Sequence, residues 1–228
     1  MNYLLSGFSG RFGNRILQHL DAYSYAESCG INVFSADGST KMFLKKNQHR
    51  AFIPIKRKWK ISESLFNDKK INVGEYFLNI DDFRLVADDS VAIHFRGTDF
   101  AGWKSHSIID PGFFIESALR ISGEERKFFI VTDDPLHKNV LKIEAAIRKE
   151  RANVYVVSGS EYADFFRLMN ASIVIASPST FSLAAVLLGR KKIIFPKEYA
   201  MLEAQSGASF WNDCINEVDS KYIEINLK

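Results

Sequence analysis

In the second half of the chain, short apolar runs alternate with stretches whose apolar residues recur at helical spacing. Val91-Ala92-Ile93-His94-Phe95-Arg96 reads as a buried strand, 91–96, ending in ionisable residues. His94 and Arg96, two apart, are expected to face one side of it. Asp110 as N-cap and Pro111 in the first turn predict a helix to Ile121. A strand follows from Lys127 to Thr132, then a helix over 136–149 with Leu136, Val140, Ile143 and Ile147 on one face. Asn153 to Val157 is the next strand, and Ser160 opens a helix reaching Asn170. Ile173 to Ala176 is a strand, Ser177-Pro178-Ser179-Thr180 opens a helix through Leu188, and Gly189 stops it. Lys192 to Phe195 is the last core strand, and a helix holding Trp211 and a strand from Tyr222 to Ile225 complete the chain. This alternation predicts right-handed β-α-β units and a parallel sheet.

The first part has a weaker rhythm. Asn2 to Ser6 reads as a strand, followed by the glycine-rich turn Gly7 to Gly13 and a helix carrying Ile16, Leu17, Leu20, Tyr23 and Ala26. Gly30 is a C-cap candidate, and Ile31 to Ser35 a second strand. The spacing Gly7, Gly10, Gly13 is neither the dinucleotide fingerprint nor a P-loop. The turn either packs helix on sheet or offers backbone N–H groups to an anion. Residues 41–60 carry Lys41, Lys45, Lys46, Arg50, Lys56, Arg57, Lys58 and Lys60 without an acid, interleaved with Phe43, Phe52 and Trp59. That stretch is either a solvated face or a footprint for an anionic partner such as a phospholipid surface or nucleic acid. A boundary near Asp88-Asp89 divides the chain into a small domain, 1–88, and a larger one, 89–228.

Composition changes this picture little. At 46% hydrophobic and 25% charged the chain is globular. A net charge of +3 does not point to nucleic acid. Cys29 and Cys214 are the only cysteines, which favours a reduced, cytoplasmic setting. No segment is apolar for long enough to span a membrane, and Tyr3-Leu4-Leu5 is too short for a signal peptide core.

Ligands of parallel α/β sheets bind beyond the carboxyl ends of the strands. That rule brings Arg96, Asp133 and the turn Ser177 to Thr180 to one rim. Arg96 has a planar fork suited to phosphate, or ends a strand in a plain salt bridge. Ser179 and Thr180 either cap their helix or donate to a phosphate. Asp164 either favours its helix dipole or accepts hydrogen bonds from a guanine edge.

Four blocks in this order resemble the fucosyltransferases that use GDP-fucose, most closely the α-1,2-fucosyltransferases of glycosyltransferase family 11. Gly10-Arg11-Phe12-Gly13-Asn14-Arg15-Ile16-Leu17-Gln18 resembles the family's Gly-Gly-Leu-Gly-Asn-Gln-Met-Phe-Gln. His94-Phe95-Arg96-Gly97-Thr98-Asp99-Phe100 resembles its His-x-Arg-Arg-x-Asp-Tyr. Phe128 to Asp134 resembles its Phe-Phe-x-x-Ser-Asp-Asp, and Asp164 to Ser182 resembles its closing motif, Asp-x-x-Leu-Met followed by Asn-Ser-Thr-Phe-Ser.

The resemblance implies two facing Rossmann-like domains of GT-B type, with the acceptor on the side of the first, reduced one. It implies inverting transfer of fucose from GDP-fucose to a glycan hydroxyl, α-1,2 in linkage, with neither metal nor other cofactor. His19, His49, His94, His106 and His137 show no metal-ligand spacing. By position, Arg96 would hold the β-phosphate, His94 and Asp164 would meet the guanine, and Ser179 and Thr180 would donate to the phosphates. The backbone at Gly13 would approach the pyrophosphate, while Asp99 and Asp133 would shape the site. Asp99 is the first choice for general base, ahead of His106 and Asp110. An acceptor carried on lipid would give the basic stretch 41–60 a purpose at the inner membrane face. The chain departs from the family at Gly97, where a second Arg is usual, at Arg11 and Arg15, and in its short first domain. Transfer from another nucleotide sugar and a non-catalytic sugar- or nucleotide-binding role are the alternatives.

Overall fold

The computed structural model describes residues 3–6, 12–17, 32–35, 88–97, 109–123, 125–177, 179–189, 192–196 and 222–226. Among them β1 (Tyr3–Ser6) and β2 (Asn32–Ser35) pair in parallel as a two-stranded sheet, with a helical segment α1 over 12–17 between them in sequence. The rest is mixed α/β. In chain order it comprises β3 (Asp88–Phe95), α2 (Pro111–Leu119), β4 (Phe128–Thr132), α3 (Lys138–Glu150) and β5 (Val154–Val157), then α4 (Glu161–Asn170), β6 (Ala171–Ala176), α5 (Thr180–Gly189), β7 (Lys192–Pro196) and β8 (Tyr222–Asn226). The six strands order as β5-β4-β3-β6-β7-β8, parallel except for β8, which runs antiparallel to β7.

That order reverses direction once. From β3 the chain steps outward through β4 to β5, then returns to the other side of β3 to lay down β6 and β7. The switch point lies between β3 and β6, where the crevice of a doubly wound sheet opens. Both faces are covered, which is why the strands read as continuous apolar runs. Val91, Ile93 and Phe95 pack with Phe114 and Ala118 of α2 and with Val140, Ile143 and Ile147 of α3. The alternate side chains of β3 turn to the other face, where the His94 ring meets Phe181 of α5 at 5.6 Å between centroids. Phe12 of α1 is buried on that side, with its ring edge-on to Tyr162 and Phe165 of α4. Each fully buried large apolar side chain contributes roughly 1.5–3 kcal/mol.

Several expected boundaries move, each for a local reason. β3 ends at Phe95, so Arg96 lies past the strand and the alternation from His94 does not reach it. The ladder to β6 closes at His94 opposite Ala176, and the Arg96 N–H donates to the Ser177 hydroxyl instead. The third helix begins at Lys138, not 136. The Asp134 carboxylate accepts the Leu136 N–H in a turn, and His137 Nδ1 caps the helix by accepting the Asn139 N–H. Leu136 is therefore 80% exposed rather than in the core. β6 starts at Ala171, directly after α4, and β7 runs on to Pro196. The expected helix at Trp211, the stretch 41–60, both cysteines and residues 98–108 lie outside the described residues.

Candidate functional site

The carboxyl ends of β3 and β6 converge because both strands stop at the same level. The Ser177 N–H donates to the His94 carbonyl at 2.9 Å, extending the ladder by one bond, and the chain then turns into α5. Ser179 is the N-cap of α5, its hydroxyl accepting the Phe181 N–H at 3.2 Å. The same oxygen accepts from Arg96 Nη1 at 3.2 Å, across 83 residues of sequence. A hydroxyl has two lone pairs and one proton, so both acceptor positions of Ser179 are engaged and its O–H remains as a donor. The Ser182 hydroxyl donates back to the Ser179 carbonyl at 3.0 Å, which ties the turn to the first turn of the helix.

On the other flank, Asp133 follows β4. Its carboxylate accepts the Gly97 N–H at 3.2 Å, which fixes the chain immediately after Arg96. Arg96 is thus held from three sides: its own N–H by Ser177, its guanidinium by Ser179 and the following peptide by Asp133. Below it, His94 is buried, and its Nδ1 has no hydrogen-bond partner. Burial, with help from the Arg96 charge and against the pull of Asp133, lowers its pKa from 6.5 to about 4. A neutral imidazole beneath a guanidinium adds no second charge to the rim.

Gly13 is explained by packing. A Cβ there would stand 2.5 Å from the Phe181 Cα and 2.6 Å from the Thr180 carbonyl carbon. Only glycine lets α1 press its backbone against the start of α5. The backbone at Gly13 thus lies against the helix start whose cap is Ser179. Gly97 is enclosed too: a Cβ would lie 3.1 Å from Phe95 Cε1 and 3.3 Å from the His137 ring.

Asp164 belongs to a different group. Its two carboxylate oxygens accept the Gly159 N–H at 3.2 and 3.1 Å, and one of them meets Arg167 Nη1 at 3.4 Å. Burial raises its pKa, opposed by the Gly159 N–H and the Arg167 charge. Phe165, the next residue, meets Phe181 at 5.4 Å, so this cluster adjoins the rim through an aromatic layer. Asp110, third among the general-base candidates, caps α2 by accepting the Gly112 N–H at 2.8 Å. Asp99 and His106 lie outside the described residues. Among the described residues no group of three His, Cys, Asp or Glu side chains is arranged for a metal ion. No helix among them is long and apolar enough to cross a membrane. Sequence reasoning missed Phe181 as the side chain that joins His94, Phe12 and Phe165; its place two residues after a helix cap was the available signal.

The fold is a mixed α/β unit with a parallel central sheet, and its rim gathers Arg96, Asp133 and Ser179 at the switch point. No protein-family model and no curated protein matches the chain. Among solved structures, the chain is similar in fold to NodZ alpha-1,6-fucosyltransferase soaked with GDP-fucose, with a TM-score of 0.54 and 13% identity over 100% of this chain and 99% of that one. It is likewise similar to fucosyltransferase NodZ from Bradyrhizobium, with a TM-score of 0.50 and 14% identity over 85% of this chain and 94% of that one.

Proposed function

We propose that the protein is a glycosyltransferase that takes a sugar, most simply fucose, from a GDP-sugar and transfers it with inversion to a glycan hydroxyl. One observation carries the reading: an arginine fork fixed against a helix-capping serine at the switch point of a fucosyltransferase-like fold. When the glycosidic bond to the donor breaks, negative charge grows on the departing diphosphate. Arg96 and the O–H of Ser179 are donors already in place for that charge, as is the positive end of α5 at Thr180. Asp133 serves by holding the peptide after Arg96. The neutral His94 supports the guanidinium from below.

Assignment of Asp164 to the guanine, of Asp99 to the acceptor proton, of the acceptor to the side of residues 1–88 and of metal independence to the reaction rests on the sequence resemblance. So do the two-domain GT-B arrangement, a lipid-linked acceptor at the cytoplasmic membrane face and the use of 41–60 to reach it. The α-1,2 linkage has the same basis, while one of the structurally similar proteins is described as an α-1,6 enzyme. Incubation with GDP-fucose, with and without glycan acceptors, tests the reading: acceptor-dependent release of GDP is expected. A thermal-shift panel of GDP, UDP and dTDP should show stabilisation by GDP first.

The close walls around Gly97 favour a second reading, a nucleotide-binding relative without turnover, because they leave little room for the second arginine of the resembled motif. GDP binding with no release of GDP from GDP-fucose under any acceptor would select it.

A further inference from the structure

The turn from β4 into α3, and the outer face of α3, carry residues that folding does not account for. Leu136 is 80% exposed and Leu141 47% exposed, and Pro135 beside the former is exposed as well. Hydrogen bonds hold this turn in place. The Asp134 carboxylate accepts the Leu136 N–H at 3.2 Å, the Asp134 carbonyl accepts the His137 N–H at 3.2 Å, and the Thr132 hydroxyl accepts the Asp134 N–H at 3.1 Å. Lys138, the first residue of α3, and Lys142, one turn on, flank the two leucines, and both are exposed. Lys138, Leu141, Lys142, Ala145 and Lys149 recur at helical spacing, so they share the solvent face opposite Val140, Ile143 and Ile147.

The charges at the start of α3 run against the helix. A helix N-terminus is the positive end of the dipole, where acids are favoured and cations are not. The first turn of α3 holds no acid, and it opens with a lysine. At the other end Arg148 and Lys149 suit the dipole, and Arg148 pairs with Glu144 at 2.6 Å. Among the described residues neither Lys138 nor Lys142 has an ion-pair partner. The nearby acids serve the chain itself, Asp134 accepting the Leu136 N–H and Asp133 the Gly97 N–H. An exposed leucine adds nothing to the core, and a cation at a helix start opposes the dipole. Local choices that conflict with the fold in this way mark functional surfaces.

We propose that this face of α3, with the turn before it, is a contact surface for a membrane bearing anionic lipid headgroups. The leucines would enter the boundary between headgroups and acyl chains, while the lysine stems lie along it with their ammonium groups at the phosphates. The shape suits a protein partner less well. A stable protein interface takes about 800 Å² from each side, whereas the apolar groups here are two side chains standing out from a turn and a convex helix. The turn leaves the sheet at the level of Arg96, because Phe95 stands opposite Thr132 in the ladder. A membrane held here therefore lies at the end of the sheet where the rim opens. The surface is separate from residues 41–60, and the proposal stands whether or not the rim binds a GDP-sugar.

Vesicle sedimentation of the full chain tests it, with phosphatidylglycerol vesicles against phosphatidylcholine vesicles at low and high salt. Binding to the anionic vesicles that falls with salt is expected. Lys138→Glu and Lys142→Glu should each weaken it about fivefold or more, the factor of one basic residue at an anionic surface. Lys138→Glu also puts an acid at the helix start, so thermal stability should hold or rise while binding falls, which a purely structural role for the lysine would not give. Leu136→Ser should weaken binding about tenfold, and its exposure keeps the fold secure. The proposal is overturned if anionic and neutral vesicles are bound alike at low salt, or if Lys138→Glu, Lys142→Glu and Leu136→Ser all leave anionic binding unchanged. Binding of polyglutamate without binding of anionic vesicles would overturn it in favour of an acidic protein.

Discussion

Arg96 and Asp164 head two clusters that look alike in composition and differ in reach. Each contains an arginine, an aspartate and a serine beside a helix start. Around Asp164 the hydrogen bonds among the described residues are local: Gly159 lies five residues away and Arg167 three, while Ser160 caps α4 by accepting the Ala163 N–H. Stabilising α4 accounts for those bonds. Around Arg96 the partners come from separate elements, Ser179 from 83 residues away and Asp133, through Gly97, from 36. No helix needs those bonds in order to form. A long-range polar cluster at a switch point is harder to explain by local folding than one within a single turn, and the functional proposal rests on the former.

The sharpest way to break the contrast is Arg96→Ala. Loss of a donor that strengthens in the transition state is expected to cost roughly 2.7–4 kcal/mol, about 10²–10³ in rate. Arg96→Lys should be nearly as poor, because an ammonium cannot reproduce the fork that reaches both Ser179 and a ligand. Normal GDP release from GDP-fucose by a folded Arg96→Ala protein would remove the rim from the mechanism.

His94 extends the contrast to pH. Its folded pKa, about 4, lies below the unfolded 6.5, so the unfolded chain binds the proton more readily. The related stability is complete above pH 6.5, declines as pH falls and is exhausted below about 4. Over that window the loss should be of order 3 kcal/mol. Denaturant titrations of wild type and His94→Gln across the window should diverge in slope, and parallel curves would mean that the imidazole titrates normally.

Gly13→Ala probes the contact beneath the rim. Overpacking a close backbone approach typically costs about 1–3 kcal/mol, and here α1 must move away from the cap at Ser179. Lower stability together with weaker GDP binding is expected. A drop in stability with GDP binding untouched would assign Gly13 to packing alone.

How far the sequence could be read follows the same division between local and distant. The strands and helices from 91 to 196 were readable because each carries its own periodicity and cap; Asp110, Ser160 and Gly189 mark their ends in the chain itself. The turn from Thr132 to His137 misled because Leu136 continues the helical spacing, while Asp134 and His137, through short side-chain bonds, delay the helix. That Arg96, Asp133 and Ser179 share a rim could be inferred from strand order. That Ser179 accepts from Arg96 could not, since no local pattern encodes a bond across 83 residues.

Asp164→Asn offers the smallest effect and the finest test of the comparison. The substitution keeps the shape and one acceptor for the Gly159 N–H, and it gives up the ion pair with Arg167, whose side chain is 34% exposed. Exposed and half-exposed pairs contribute about 0.2–1 kcal/mol, so stability should fall by no more than that. Binding is where the two interpretations separate. A carboxylate offers about four lone-pair positions, and the bonds from Gly159 and Arg167 do not exhaust them. If a guanine edge takes what remains, as the resemblance implies, GDP should weaken about tenfold while UDP and dTDP hardly change. Equal effects on all three nucleotides would confine Asp164 to the head of its helix. The proposed diphosphate site at Arg96 would then lack a reader for the base, and any preference for GDP would have to come from elsewhere.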